Sequence, residues 1–120
     1  MKNKIIPPAL HGLIDYGFAA ALFAVPRLIG CNERTVRLYR GLALEVCLYG
    51  AMTRQPLALL PIIPMKVHKG IDMANLSDLT LLTIYKGIRK KPKAVAFNLG
   101  MVALGITTVL LTQWQRKDRG

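Results

Sequence analysis

Acidic residues and cysteines are scarce in this chain of 120 residues. Six Asp and Glu stand against 17 Lys and Arg, which gives a formal net charge of +11 at pH 7. The two cysteines, Cys31 and Cys47, form no Cys-x-x-Cys pair and belong to no Cys/His cluster, so neither a disulfide framework nor a cysteine-ligated zinc site is indicated. The sequence also lacks a Ser/His/Asp or Cys/His signature and a phosphate-binding loop. We therefore expect no enzyme and no bound cofactor.

Charged residues of both signs make up only 19% of the chain, whereas hydrophobic residues make up 52% and the mean hydropathy is +0.34. This balance is typical of membrane proteins rather than soluble ones. The basic residues cluster at the ends of long apolar runs and form no nucleic-acid-binding motif. We therefore expect anionic lipid headgroups, not nucleic acid, as their partners.

A five-residue motif occurs twice, 57 positions apart. The first copy runs from His11 to Asp15 and the second from His68 to Asp72, and Ile-Ile-Pro precedes each copy. Without any gap, residues 5–30 match residues 62–87 at eight of 26 positions, which indicates a duplication. We predict a single membrane domain over residues 1–120, with repeat 1 at about 5–53 and repeat 2 at about 62–112.

Four apolar segments predict four transmembrane helices, at about residues 8–29, 36–53, 65–85 and 94–112. Thr35 is the expected cap of the second helix. The prolines of residues 56–64 exclude a regular helix there. The basic run 86–93 is predicted to form a loop, and Trp114 is predicted to anchor the chain at the membrane interface.

An even number of spans in each repeat returns the chain to the side of the membrane on which it started. The two copies therefore run parallel, related by a pseudo-two-fold axis along the membrane normal, and form an all-α four-helix bundle. Both His-x-x-x-Asp motifs then lie at the same depth on the same side. Eight basic residues, including Lys2, Arg116, Lys117 and Arg119, fall on one side and nine on the other, so orientation stays undecided. The residues also leave open whether the chain forms a homo-oligomer.

Three stretches carry a resemblance to a known family. The segment from His11 to Phe18, the segment 25–30, and the segment from Ile63 to His68 with Asp72 resemble small bacterial membrane proteins of the SPW-repeat type. The resemblance covers nearly the whole chain. It implies two repeated helix pairs in the bacterial inner (cytoplasmic) membrane, and it brings no catalytic residues with it.

The repeated motif supplies the candidate site. Residues at positions i and i+4 share a helix face, with a rise of about 6 Å between them. Ionisable groups inside a membrane are costly unless they face the protein interior and pair with one another. We therefore predict one polar intramembrane cluster between the first and third helices. Two further polar residues extend its face on the third helix, and one carboxylate on the second helix is expected to face the interior or to pair. The predicted members are His11, Asp15, His68, Asp72, Asn75, Asp78 and Glu45.

Three interpretations of this cluster remain open. In the first, the polar pairs are structural contacts that fix helix register, and the dipole of an early helical turn favours each Asp. In the second, the protein is a small transporter or a proton- or ion-conducting element in which Asp15 and Asp72 carry the proton or ion. In the third, it is a metal- or haem-binding membrane redox subunit, since two His and two carboxylates are suitable ligands.

Overall fold

A computed structural model describes residues 4–114, and within them all regular structure is helical. The described part contains five helices: α1 (Pro8–Leu28), α2 (Glu33–Ala51), α3 (Met65–Leu82), α4 (Lys86–Arg89) and α5 (Pro92–Leu111). The expected all-α class is thus confirmed. The terminal basic residues counted in the sequence, Lys2, Arg116, Lys117 and Arg119, lie outside the described residues.

Local sequence explains where the helices begin. Pro8 and Pro92 occupy the first turns of α1 and α5, where a missing N–H costs no hydrogen bond. α2 begins three residues earlier than predicted because its cap is Asn32, not Thr35. The Asn32 side-chain oxygen accepts a hydrogen bond from the Thr35 backbone N–H at 2.8 Å. This bond satisfies one of the unpaired donors at the helix start.

The basic run 86–93 contains more structure than the predicted loop. Residues 86–89 form α4, whose turn closes when the backbone N–H groups of Ile88 and Arg89 donate to the Tyr85 carbonyl. A single turn fits here because residues 86–91 contain no proline, and Pro92 then begins α5. α4 contacts both α5 and α2, so it connects the two pairs of helices.

The long helices pack as two pairs, α1 along α2 and α3 along α5, and α1 also contacts α5. The proline-containing segment between α2 and α3 has no regular helix, as its prolines predicted. It folds back over the end of α2 instead. Backbone N–H groups of Leu59 and Leu60 donate to the Ala51 carbonyl, and those of Ile62 and Ile63 donate to the Met52 carbonyl. These bonds satisfy carbonyl groups that a helix end leaves unpaired.

Two isolated β-bridges tie the helix starts to the helix ends. Ile6, which precedes α1, pairs with Thr112, which follows α5; Ile63, which precedes α3, pairs with Thr53, which follows α2. The two isoleucines are 57 positions apart, as are the two motifs. The bridges therefore bring the first turns of α1 and α3 beside the last turns of the opposite helix pairs.

Two of the described helices, α1 and α5, are long and apolar enough to cross a bilayer. Their most apolar windows have mean hydropathies of 1.4 and 2.0. α5 coincides with the segment 94–112, which carries no charged residue.

A buried polar contact that the sequence did not indicate joins α2, α3 and α5. The Tyr39 hydroxyl donates to Asn98 Oδ1 at 2.6 Å, and both side chains are fully buried. Asn98 Nδ2 in turn donates to the Leu79 carbonyl at 2.9 Å and to Thr83 Oγ1 at 2.8 Å. Both donor hydrogens and the carbonyl oxygen of the Asn98 amide are therefore satisfied.

We expect Tyr39→Phe to lower the free energy of unfolding by about 1–3 kcal/mol, because Asn98 Oδ1 would lose its donor while buried. Tyr16→Phe is the matched control, since the Tyr16 hydroxyl donates to the Leu57 carbonyl at an exposed position. Tyr16→Phe should lower the free energy of unfolding by no more than about 0.5 kcal/mol. Denaturant titration of the detergent-solubilised variants measures the free energy of unfolding of each. Equal losses in the two variants would contradict the assigned role of Asn98.

Candidate metal centre

The two copies of the motif meet at one buried point. His11 and Asp15 lie one turn apart on α1, and His68 and Asp72 lie one turn apart on α3, so each pair shares a helix face. The two histidines are only 2% and 1% exposed, and both aspartates are buried. The bridges at Ile6 and Ile63 attach the start of α1 to the end of α5 and the start of α3 to the end of α2, so both motifs lie where these segments meet.

All four side chains direct one atom to this point. His68 Nε2 lies 2.9 Å from Asp15 Oδ2 and 3.3 Å from Asp72 Oδ2, and His11 Nε2 lies 3.2 Å from each of these oxygens. The two Nε2 atoms are 3.3 Å apart. Contacts between the helices are thus as short as those within each motif. The four residues form a single group rather than two local His–Asp pairs.

Threonine hydroxyls fix the tautomer of both histidines. Thr53 Oγ1 donates its only proton to the Tyr49 carbonyl, and Thr112 Oγ1 donates its proton to the Thr108 carbonyl. Each oxygen can therefore only accept from the histidine beside it, His68 Nδ1 at 2.6 Å and His11 Nδ1 at 2.7 Å. Nδ1 carries the proton in both rings, and a neutral imidazole then presents an unprotonated Nε2 to the centre.

When both imidazoles are neutral, the centre collects negative charge and lone pairs. Two imidazole lone pairs and two carboxylates face one another within 3.3 Å at five of their six separations. Asp15 Oδ2 is buried and accepts no hydrogen bond of acceptable geometry from the described residues. A buried carboxylate oxygen without a hydrogen-bond donor is costly. Such an arrangement requires positive charge at its middle, which either protons on the two Nε2 atoms or a metal ion can supply.

A divalent metal ion satisfies this requirement. Bonds of about 2.0–2.1 Å to nitrogen and oxygen place tetrahedral ligands about 3.3–3.5 Å apart, close to the five separations observed. A set of donor atoms from these four residues lies within 4.8 Å of one another. Imidazole and carboxylate ligands without thiolate favour first-row divalent ions such as Zn²⁺, Fe²⁺ or Mn²⁺.

Further side chains surround the donor atoms. The Tyr49 hydroxyl donates to Asp72 Oδ1 at 2.6 Å and accepts from Asn75 Nδ2 at 3.2 Å. Trp114 was predicted to anchor the chain at the membrane interface, but its indole is buried against His11, with ring centroids 4.9 Å apart, and donates to the Val109 carbonyl. The Tyr49 bond to Asp72 is an outer hydrogen bond of the kind that holds a metal ligand in a fixed orientation.

The structure leaves two predicted members outside the cluster. Asp78 and Glu45 are exposed, and neither forms an ion pair within residues 4–114. Asp78 lies six residues after Asp72, which turns it about 120° away from that face. Glu45 was expected to face the interior or to pair, but Val46 and Tyr49 occupy the inward face of α2.

The helix dipole also contributes less than expected. Asp15 and Asp72 are each the eighth residue of their helix, and neither α1 nor α3 has an acidic residue in its first turn. The dipole effect fades beyond the first turn. Helix position therefore adds little to the stabilisation of these two carboxylates.

Sequence reasoning missed Thr53, Thr112 and Tyr49. The two threonines are 59 positions apart, whereas the motifs are 57 apart, so the ungapped comparison of the repeats does not align them. The sequence signal for the two hydroxyls is a threonine directly after the second helix of each pair. This signal points to the histidines only once the β-bridges place those helix ends beside them.

Comparison of the chain with protein-family models, with curated protein sequences and with solved structures finds no match.

Proposed function

We propose that this chain is an integral membrane protein that binds one divalent first-row transition-metal ion through His11, Asp15, His68 and Asp72. One observation carries the proposal. The hydroxyls of Thr53 and Thr112 accept the Nδ1 proton of both histidines, so each ring turns Nε2 towards two carboxylates and can bind an ion there once that nitrogen loses its proton. Of the three interpretations of the cluster, this geometry favours the metal-binding one.

The surface of the helices supports the membrane location. Besides the apolar lengths of α1 and α5, each long helix exposes large aliphatic side chains, for example Leu13, Leu48, Leu81 and Leu110, all about 60% exposed. Apolar surface of this extent marks contact with lipid or with another protein. We propose that α2 and α3 complete a four-helix bundle in the bacterial inner membrane, with its basic ends at anionic headgroups.

The repeat interpretation is part of this proposal. The corresponding bridges and the corresponding Thr–His contacts support two parallel helix pairs related by a pseudo-two-fold axis. The similarity to proteins of the SPW-repeat type stays a prediction.

Haem is a poor fit to the same residues. Two axial imidazoles must stand on opposite faces of a porphyrin, about 4 Å apart across the iron. The two Nε2 atoms are 3.3 Å apart, and both carboxylates contact them at the same point. No gap remains for a macrocycle between the rings. The proposal is therefore restricted to a metal ion.

Metal content tests the proposal directly. The protein purified in detergent, stripped with a chelator and reloaded with Zn²⁺ or Co²⁺, should retain one ion per chain after desalting, as measured by elemental analysis. The structural interpretation predicts that no ion is retained. The transport interpretation predicts ion uptake into proteoliposomes instead of a resident ion. Absence of retained metal in the folded, reloaded protein would overturn the proposal.

Metal retention should depend steeply on pH. Each imidazole must lose its Nε2 proton to bind the ion, so acid competes with the metal for both histidines as the pH falls. With two histidine ligands, the apparent affinity should fall about 100-fold per pH unit wherever both Nε2 atoms carry a proton in the metal-free protein. Equilibrium dialysis against Zn²⁺ at a series of pH values measures the slope. A slope near zero would show that the histidines are not ligands.

Cys47 reports on the location of α2. Its thiol is exposed on the outer face of the helix, so it would react readily with maleimide if that face met water. In membrane vesicles we expect Cys47 to be protected, because a thiolate does not form in hydrocarbon. Mass spectrometry of the Cys31→Ala variant, labelled in vesicles and again after unfolding in SDS, measures this protection. Rapid labelling in intact vesicles would place α2 outside the lipid.

A further inference from the structure

A cavity of about 40 Å³ lies beside the four ligands. Residues from α1, α2, α3 and α5 line it, and its walls are mostly apolar, with Leu22, Leu42 and Val46 among them. Its polar lining includes Asp15 and Asp72, with Tyr49 and Asn75 beside them, whereas the histidines do not line it. The cavity therefore reaches the centre from the carboxylate side.

The shortest separations within the ligand set all involve a histidine. In a regular tetrahedron all six separations would equal about 3.3–3.5 Å. Five of the separations here are 3.3 Å or less. Each of these five separations involves a histidine, and the sixth edge joins Asp15 and Asp72, in a set whose donor atoms lie within 4.8 Å of one another. This sixth edge lies between the two residues that line the cavity.

We infer that the metal ion keeps an open coordination position between Asp15 and Asp72, and that a neutral molecule of one to three heavy atoms binds there from the cavity. The inference rests on the proposed metal site. A buried water needs about 10–15 Å³, so the cavity accommodates up to about three atoms of this size. Larger ligands would have to displace the apolar walls.

Charge selects a neutral ligand. A divalent ion with two carboxylates and two neutral imidazoles carries no net charge. An anion would add an unpaired charge in a cavity with few polar groups, which is costly. Water in the resting site, or a neutral diatomic gas such as nitric oxide, brings no such cost. Asn75 Nδ2, which donates one of its two protons to Tyr49, lies beside the carboxylates to orient the ligand.

Co²⁺ absorption reports the coordination number, because four-coordinate Co²⁺ absorbs visible light several-fold more strongly than five-coordinate Co²⁺. We expect weak, five-coordinate bands in the wild-type protein. Val46→Phe fills the cavity without touching a ligand and should give intense four-coordinate bands with one ion still bound. Leu44→Phe, on the outer face of the same helix, should resemble the wild type.

A second measurement needs no variant. Nitric oxide added without oxygen should change the spectrum of the wild-type Co²⁺ protein, and azide at the same concentration should leave it unchanged. Intense four-coordinate bands in the wild type, or an equal response to azide and nitric oxide, would overturn the inference while leaving the metal site intact. Failure of the folded protein to bind Co²⁺ would overturn the proposed function and this inference together.

Discussion

Replacing Asp72 by Asn should lower the affinity for Zn²⁺ and Co²⁺ by more than 100-fold. The amide is a weaker donor than the carboxylate, and its loss of charge leaves the bound ion with an unbalanced positive charge in a buried site. Removal of an outer hydrogen-bond partner alone costs about 10–100-fold, so removal of a charged ligand should exceed that range. Competition with a chromophoric chelator measures the affinity.

Asp78→Asn is the matched control for this experiment. The residue lies on the same helix, carries the same charge and is exposed outside the cluster. Its substitution should leave the affinity within about twofold of the wild type, since a distant exposed charge is screened by water and salt. Equal losses in the two variants would mean that α3 attracts metal through its general charge, and the assignment of Asp72 as a ligand would then be wrong.

Replacing Thr53 or Thr112 by Val should lower the affinity by about 10–100-fold while one ion per chain is still bound. Valine has nearly the shape of threonine but cannot accept the Nδ1 proton of His68 or His11. The imidazole is then free to adopt the other tautomer, in which Nε2 carries the proton and cannot bind the ion. The double substitution should cost more than either single one.

Thr107→Val separates this effect from a loss of helix stability. Thr107 also donates its hydroxyl to the carbonyl four residues earlier on α5, but it is exposed and faces no histidine. Its replacement should change neither the affinity nor the stoichiometry. An unchanged affinity in Thr53→Val and Thr112→Val would show that the hydroxyls do not control the tautomers.

The repeat was the most informative feature of the sequence. It predicted that His11 and Asp15 would share a face, and that His68 and Asp72 would share another at the same level, because regular helix geometry fixes positions i and i+4. The structure brings these four residues together. The same periodicity turns Asp78 away from the cluster, since six residues do not complete two turns.

Other features depend on tertiary contacts that the sequence does not encode locally. The exposure of Glu45 depends on which side of α2 packs against the other helices. A single carboxylate in an apolar segment does not indicate which side that is. Tyr39 and Asn98 are 59 residues apart and meet only because α2 and α5 are brought together. Asn32 and Thr35 are both good capping residues, so the sequence alone does not decide which of them caps α2.

The crossed arrangement of the bridges has a further consequence. Thr53 from the first helix pair holds His68 of the second, and Thr112 from the second pair holds His11 of the first. Each half therefore lacks the hydroxyl that its own histidine needs and supplies the one required by the other half. A single helix pair cannot form the four-residue cluster by itself, so a chain with one copy of the motif would need a second copy of itself to complete the cluster, whereas the present chain holds both in one covalent molecule.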